Sequence, residues 1–289
     1  MDKVLKNNIY QFLKFIPDRM YLKIMYYIFV NKKLNLKNPT TFNEKMQWLK
    51  LYNRKDIYTK LVDKIEVRKY IVDKIGEKYL IPLYGEWDSY DDIDFKSLPN
   101  EFVLKCNHDS GSVYICHNKF EIDHDMLRKK YKKFLKHNMF WNGREWPYKN
   151  VKPKILAEKL MNENNDTNIK DYKLMVFNGK VKCSFVVSDR FSKEGMKVTF
   201  FDRRWNKMSF ERQYPSSDKK ILKPKYYSEM ISLAEKIGKD FPFVRVDFYE
   251  INDKIYFGEL TFFPGSGFEK FRPYEWDITL GDWIDISEV

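Results

Sequence analysis

The residues best suited to do chemistry lie in two stretches, Phe243-Val-Arg-Val-Asp-Phe-Tyr249 and Ile255-Tyr-Phe-Gly-Glu-Leu-Thr261. Both read as strands, joined through Asn252-Asp253. Side chains alternate faces along a strand, so Arg245 shares a face with Asp247, and Glu259 shares one with Thr261. For Asp247 to stand opposite Glu259 in an antiparallel pair, the turn must centre on Asp253. That predicts an odd loop of three or five residues, not a two-residue turn. Two facing carboxylates destabilise a sheet unless something neutralises them. A hard cation does so, and Mg²⁺ is commonly held by one or two carboxylates together with substrate phosphates. Asp247, Glu259 and Thr261 are therefore the candidate metal ligands, with Arg245 beside them. The plainer reading is a surface hairpin whose acids face water; Phe243, Phe257 and Phe262 argue instead for burial. Pro264-Gly-Ser-Gly267 follows at once, and glycines let backbone N–H groups turn toward an anion. Gly265, Ser266 and Gly267 are thus a candidate substrate-binding loop.

The elements that must position these residues are legible as patterns. Leu5, Ile9, Phe12, Leu13 and Ile16 fall at helical spacing among lysines, and Tyr21 to Phe29 continues the mixture. Such a segment suits a helix lying on a membrane surface; a helical cap docked on the core is the preferred reading. Thr41-Phe-Asn-Glu44 forms a capping box that should open a helix through Met46 and Leu49. Asp56 to Ile75 reads as one helix closed by Gly76, with Lys64 and Arg68 on one face. Strands are expected at 102–105 and 155–157, and a basic helix over 121–140. Asp171 to Val187 reads as a hairpin turning at Asn178-Gly179, the strongest short-range hairpin signal. Another helix runs through Met230, Leu233 and Ile237.

Composition narrows the class. The 289 residues carry 53 Lys and Arg against 41 Asp and Glu, a net charge of +12 that attracts anions. The basic residues are scattered, without the arginine-rich stripe of a nucleic-acid binder. Cys106, Cys116 and Cys183 are odd in number and lack C-x-x-C spacing, which suits a reducing cytoplasm better than a disulfide framework. Cys106, His108, Cys116 and His117 supply metal-ligand types, but at no common zinc spacing. Polar residues interrupt the N-terminal apolar run, so no signal peptide is expected. No run of 18 apolar residues suggests a membrane span.

Arg-x-Asp, a dozen residues, Glu-x-polar and then Pro-Gly resembles the C-terminal metal-binding signature of the ATP-grasp superfamily. Earlier segments are similar in the same order. Asp63-Lys64 resembles the first phosphate-binding lysine. Phe102-Val-Leu-Lys105 with Ser110-Gly111-Ser112 resembles the second lysine and the small-residue loop over the phosphates. Ile155-Leu-Ala-Glu158-Lys159-Leu160 resembles the hinge strand, where Glu158 would meet the adenine amino group and the backbone of Lys159 and Leu160 would complete the adenine edge. The wording is most similar to the teichuronopeptide-biosynthesis (TupA-like) type, through Thr41-Phe-Asn-Glu-Lys45, Val103-Leu-Lys-Cys-Asn-His-Asp109, Asp171-Tyr-Lys173 and Glu259-Leu-Thr-Phe262. The resemblance spans roughly residues 40–285. Thr261 stands where the superfamily usually has Asn, and few glycines follow Lys105.

The resemblance implies an α+β fold in which two subdomains grip ATP between antiparallel sheets, after an N-terminal helical extension. Its expected limits are 1–55 for the extension and 56–289 for the catalytic region, the latter divided into about 100–187 and 188–289. It implies an ATP- and Mg²⁺-dependent carboxylate–amine ligase working through an acyl-phosphate, with Arg245 and Lys105 catalytic. Lys64, Lys105, Ser110, Gly111, Ser112, Glu158, Lys159, Leu160 and Asp171 would bind the nucleotide. The expected substrates are an amino compound and a uronic acid or acidic surface polysaccharide. The expected location is cytoplasmic, with peripheral contact at the inner face of the membrane. A sugar acid would meet Trp205, Arg203 and Arg204, or these simply end a hairpin. The main alternative is a glycosyltransferase using Asp92-Ile93-Asp94 as a metal–sugar-nucleotide motif. A non-catalytic basic module around Trp141, Trp146 and Tyr148 is the third reading.

Overall fold

The computed structural model describes residues 13–161, 171–189, 195–287 and 289, with Leu13 as backbone only. Leu5, Ile9 and Phe12 of the expected N-terminal stripe lie outside the described residues. In chain order the regular elements are α1 (Asp18–Val30), α2 (Phe42–Tyr52), α3 (Ile57–Val62), α4 (Val67–Ile75), β1 (Leu83–Trp87), β2 (Phe102–Cys106) and β3 (Tyr114–Cys116). There follow α5 (His124–Leu135), β4 (Ile155–Lys159), β5 (Asp171–Phe177), β6 (Lys180–Ser188), β7 (Lys197–Asp202), β8 (Glu211–Arg212) and α6 (Tyr227–Gly238). The last are β9 (Phe243–Ile251), β10 (Lys254–Thr261), β11 (Phe271–Arg272) and α7 (Glu275–Asp282). The class is α+β, as expected, and every pairing in the two larger sheets is antiparallel.

The described residues form two compact units. One holds 55–140 and 146–161 and is built on a four-stranded sheet in the order β1-β4-β2-β3. Strand alternation puts Phe102, Leu104, Cys106, Ile155 and Ala157 on one face, where they are buried with Leu127 and Tyr131 of α5. Val103, Lys105, Leu156 and Glu158 share the other face.

The second unit holds the described residues to Arg54, residues 141–145, and those from Asp171 onward. Its five-stranded sheet runs β10-β9-β5-β6-β7. α6 lies on the face of Val176 and Val244, so close that a Cβ at Gly238 would meet both valines within 3.0 Å. The opposite face carries Asp171, Lys173, Arg245, Asp247 and Glu259. Toward the β5–β6 turn this face is closed by rings: Phe42 of α2 stands edge-on to Phe243 and Phe177, at 5.1 and 6.3 Å between centroids.

The division differs from the limits drawn on the sequence. Those limits group the β5–β6 hairpin with β2 and β4, but β5 pairs with β9 along its full length, and pairing decides the unit. The N-terminal segment is no separate extension, because α2 is tied to α7. Thr41 and Glu44 make the expected capping box. Asn43 donates from its backbone and side chain to Asp277, both at 3.0 Å, and Lys45 Nζ caps the carbonyls of Gly281 and Ile284.

The single helix expected over 56–75 is two helices, broken at Asp63. Asp63 Oδ1 accepts from the backbone N–H groups of Ile65 and Glu66, and Oδ2 from Asn107 Nδ2 at 2.7 Å. A short acid that bonds the backbone ahead of it competes with helix and starts a new one. Lys64 therefore sits in the break and not on a shared face with Arg68.

Candidate active site

The β9–β10 hairpin brings its two acids together by a different route from the one expected. The turn is a two-residue turn, Asn252-Asp253, with φ 49° and 59° and Ile251 paired to Lys254. Both residues are left-handed, as a type I′ turn requires and as Asn and Asp tolerate. That register continues to Phe257 opposite Phe248, and would leave Glu259 opposite Val246 on the α6 face. A β-bulge at Gly258 absorbs one residue, and Glu259 then pairs with Asp247 and Thr261 with Arg245. A Cβ at Gly258 would lie 3.1 Å from the Tyr249 ring and 3.2 Å from the Asp247 carbonyl, which favours glycine at the bulge.

Asp247 is almost wholly buried. Its Oδ1 accepts from Arg245 Nε at 2.6 Å, and its Oδ2 from Arg245 Nη2 at 2.7 Å and from Lys173 Nζ. Arg245 Nη2 also donates to Glu259 Oε1 at 2.8 Å, and Lys173 Nζ lies 2.6 Å from Asp171. The neutralising charge that the sequence reading gave to a metal is thus supplied first by Arg245 and Lys173. Burial pushes the Asp247 carboxyl up, but Arg245 and Lys173 outweigh it and hold it below the ordinary range. Burial pushes Asp171 up, and there the opposing pull of Lys173 does not prevail. For Arg245, burial is outweighed by Asp247 and Glu259, which raise its pKa.

Lys173 is the site residue that the sequence reading missed. Its signal was present: Asp171-Tyr-Lys173 alternates on a strand, so acid and base share a face. What was hidden is that β5 pairs with a strand some seventy residues further on, placing Lys173 opposite Asp247. Arg212 was missed too. It is buried on the same side of the sheet, over the rings of Phe185 and Phe200 at 5.1 and 5.4 Å, with its Nε 2.8 Å from Glu269 Oε2. Gly265 makes room for that glutamate, which a Cβ there would strike.

The Gly265–Ser266–Gly267 loop has three consecutive left-handed residues, with φ 57°, 53° and 62°. Two polar side chains of α2 gather its carbonyls. Gln47 Nε2 donates to Ser266 O and Gly267 O at 3.0 and 2.7 Å. Lys50, fully buried, donates to Ser266 O and Gly143 O, both at 2.7 Å, and to Gln47 Oε1 at 2.9 Å. Burial pushes the Lys50 ammonium down to about 7, against the pull of Glu145, which itself accepts from Ser266 Oγ.

In the other unit, Lys105 Nζ lies 2.5 Å from Glu158 Oε2, and Arg68 Nη1 lies 3.6 Å from Glu158 Oε1. The acid assigned to the adenine amino group is therefore ion-paired to two cations. The backbone N–H of Lys159, assigned to the adenine edge, donates to Pro82 O at 2.9 Å. Lys64 Nζ donates to the carbonyl of Asp109. Ser110 and Gly111 are exposed, but Ser112 is buried: its Oγ donates to Asp109 at 2.5 Å and accepts from Cys106 N–H at 2.7 Å. Ser112 closes its own loop and does not face outward with its neighbours.

The remaining expectations are placed elsewhere. Arg203 pairs with Glu235, and Trp205 stacks on Phe201 with 4.2 Å between centroids, so both serve the hairpin end. Asp92 caps Ser89, and Asp94 accepts from Lys96 N–H, so the D-x-D acids close turns. All three cysteines are buried and unbridged, and burial pushes Cys106 and Cys183 up to about 12, far from the thiolate a metal would need. Among the described residues no group of three or more His, Cys, Asp or Glu is arranged to hold a metal.

A strand pair carrying Arg-x-Asp and Glu-x-Thr on one face agrees with the match of residues 44–285 to the model of a family described as TupA-like ATP-grasp. The chain belongs to the TupA-like ATP-grasp family. Its solved structural neighbours are distant. A D-alanine–D-alanine ligase from Bacillus anthracis complexed with ATP is 14% identical, with a TM-score of 0.39 over 75% of this chain and 55% of that one. The ATP-grasp ligase PsnB complexed with minimal precursor is 10% identical, with a TM-score of 0.40 over 71% and 54%. A biotin carboxylase from Campylobacter jejuni is 16% identical, with a TM-score of 0.42 over 70% and 40%. The chain thus spans little more than half the length of the ligases it matches. No curated protein sequence matches it. The TupA-like assignment rests on the family match.

Proposed function

We propose that this TupA-like chain is an ATP-dependent carboxylate–amine ligase that makes an amide through an acyl-phosphate. The observation that carries the reading is the register of Glu259 against Asp247, with Arg245 bridging the two acids and Lys173 completing the cluster. A carboxylate resists attack by an amine because oxide is a poor leaving group. Transfer of the γ-phosphoryl group to a carboxylate oxygen makes a mixed anhydride. The amine nitrogen then attacks the carbonyl carbon, and phosphate departs with the electron pair of the C–O bond. Phosphoryl transfer asks for positioning and charge neutralisation more than covalent help. In this proposal Arg245 and Lys173 supply fixed positive charge beside the two acids, the 265–267 loop of the same unit meets the acidic substrate, and Lys105 binds the nucleotide.

Of the acids on this face, Glu259 is the most open to a cation, since both oxygens of Asp247 are already bonded. Three acids (Asp171, Asp247, Glu259) face two bases (Lys173, Arg245), leaving one surplus negative charge if all are ionised, and the Glu259 side chain is 36% exposed. That fits an ion whose other ligands are phosphate and water oxygens, the usual state of Mg²⁺. When bound, Mg²⁺ held by Asp247 and Glu259, with Thr261 alongside, would neutralise phosphate charge.

The substrate class in this reading is an amino acid or amine joined to a uronic acid or acidic surface polysaccharide, in keeping with the net charge of +12. The test is ADP release with a panel of amino acids and sugar acids. Turnover that needs one of each supports the ligase, and turnover indifferent to every amine sinks it. No observation favours the glycosyltransferase reading, since Asp92 and Asp94 are spent on turns. Titration with ATP and with UDP-sugars separates the two.

A further inference from the structure

The 13-residue α1 carries two apolar stripes where a surface helix needs one. Tyr21, Leu22, Met25, Tyr26 and Val30 are buried with Leu34, Leu36 and Phe268. This is the docked cap that the sequence reading preferred. On the opposite side, Met20, Ile24, Tyr27 and Ile28 follow one another at i, i+4, i+7 and i+8. They are 52%, 37%, 58% and 61% exposed, and Phe15 just before the helix is 93% exposed. At 100° per residue, these four side chains span about 100° of the outer surface. Arg19 and Lys23 flank them on one side, and both are exposed.

Charge says what would cover this stripe. From residue 14 to residue 40 there are six basic residues (Lys14, Arg19, Lys23, Lys32, Lys33, Lys37) and one acid, Asp18. That acid is spent on Arg54, at 2.8 Å. An apolar stripe edged by lysine and arginine matches the boundary between acyl chains and anionic headgroups. α1 is about 20 Å long, and among the described residues no helix is long and apolar enough to cross a membrane. We propose that the outer face of α1, with Phe15, is a docking surface for an anionic lipid bilayer, on which the helix lies flat. The inner stripe holds the helix to its unit while the outer one meets the lipid, so neither contact needs the other to break. This proposal stands whether or not the ligase reading does.

The test is flotation of the full chain with vesicles of phosphatidylcholine alone and with phosphatidylglycerol added. The protein should float with the anionic vesicles, not with the neutral ones, and less as salt rises. Arg19→Glu with Lys23→Glu should cut binding by roughly 25-fold or more, at about fivefold for each basic charge removed. Tyr27→Glu with Ile28→Glu should abolish it, at a melting temperature close to the parent's. Should that pair unfold the protein, Met20→Gln with Phe15→Ser asks the same question at two other exposed sites. A parent that ignores anionic vesicles overturns the proposal, and so does undiminished binding by a folded stripe variant. A dimer seen in sedimentation, lost in the stripe variant and unaccompanied by lipid binding, gives the surface to a second copy and overturns it equally.

Discussion

The two sheets share a plan and differ in how tightly they hold their charges. Each buries one face under a helix and gives the other to acids and bases. In the five-stranded sheet, Asp247 is locked by two cations from two strands, and Arg245 bridges it to Glu259. In the four-stranded sheet, Glu158 is held by Lys105 and, at longer reach, by Arg68, both somewhat more exposed. The first cluster is a buried chain of four contacts, Asp171–Lys173–Asp247–Arg245–Glu259, in which removing one member leaves its neighbours one partner fewer. The second is a pair with a spare partner. Charges that position reacting groups belong in a setting of the first kind, and charges that grip a mobile anion belong in the second.

Substitutions can break or sharpen that contrast. Asp247→Asn has the largest expected effect. It should abolish ADP release and also lower the melting temperature, because Arg245 and Lys173 each lose a buried partner and keep only Glu259 and Asp171. Glu259→Gln should lower turnover at least about 100-fold, near 3 kcal/mol in the transition state, yet leave the melting temperature almost unchanged. A Glu259→Gln enzyme with parental ADP release would refute its role. Lys105→Met comes next: the KM for ATP should rise roughly tenfold with little change in melting, since Arg68 remains beside Glu158. An unchanged KM would remove Lys105 from the nucleotide site.

Lys50 offers a pH test within the tightly held unit. Its folded pKa, about 7, lies below the unfolded value of 10.5. The folded state therefore binds fewer protons between those values, and stability from this group rises with pH across that window and is lost as pH falls to 7. Lys50→Met should melt lower than the parent at every pH, by an amount that grows from pH 7 to pH 10. A constant gap would mean that the ammonium stays charged throughout, one N–H for each of its three acceptors. The smallest effect is expected of Thr261→Asn, which should lower the Mg²⁺ concentration for half-maximal turnover a few-fold. No change would take residue 261 out of the metal's reach.

Much of this was readable from the chain. The Asn178-Gly179 hairpin, the Thr41 capping box and the shared face of Arg245 and Asp247 all follow from local rules. The failures are also physical. The Gly258 bulge left no mark beyond a single glycine, so the facing acids were expected from the wrong turn. Asp63 was read by helical periodicity, whereas its side chain competes for the backbone. Gln47 and Lys50 look like the solvent side of a helix until the loop at Ser266 arrives to use their donors. Lys173 needed the order of strands, and no local pattern encodes a partner so far along the chain.

The hold of α2 on Ser266 reaches further than the loop's shape. A peptide unit is rigid and trans, so drawing the Ser266 carbonyl toward Gln47 and Lys50 aims the following amide hydrogen, that of Gly267, the opposite way. Its direction is settled when the chain folds, before any visitor arrives. The peptide plane is ordered in folding, so its freedom is not left to be lost in any later event.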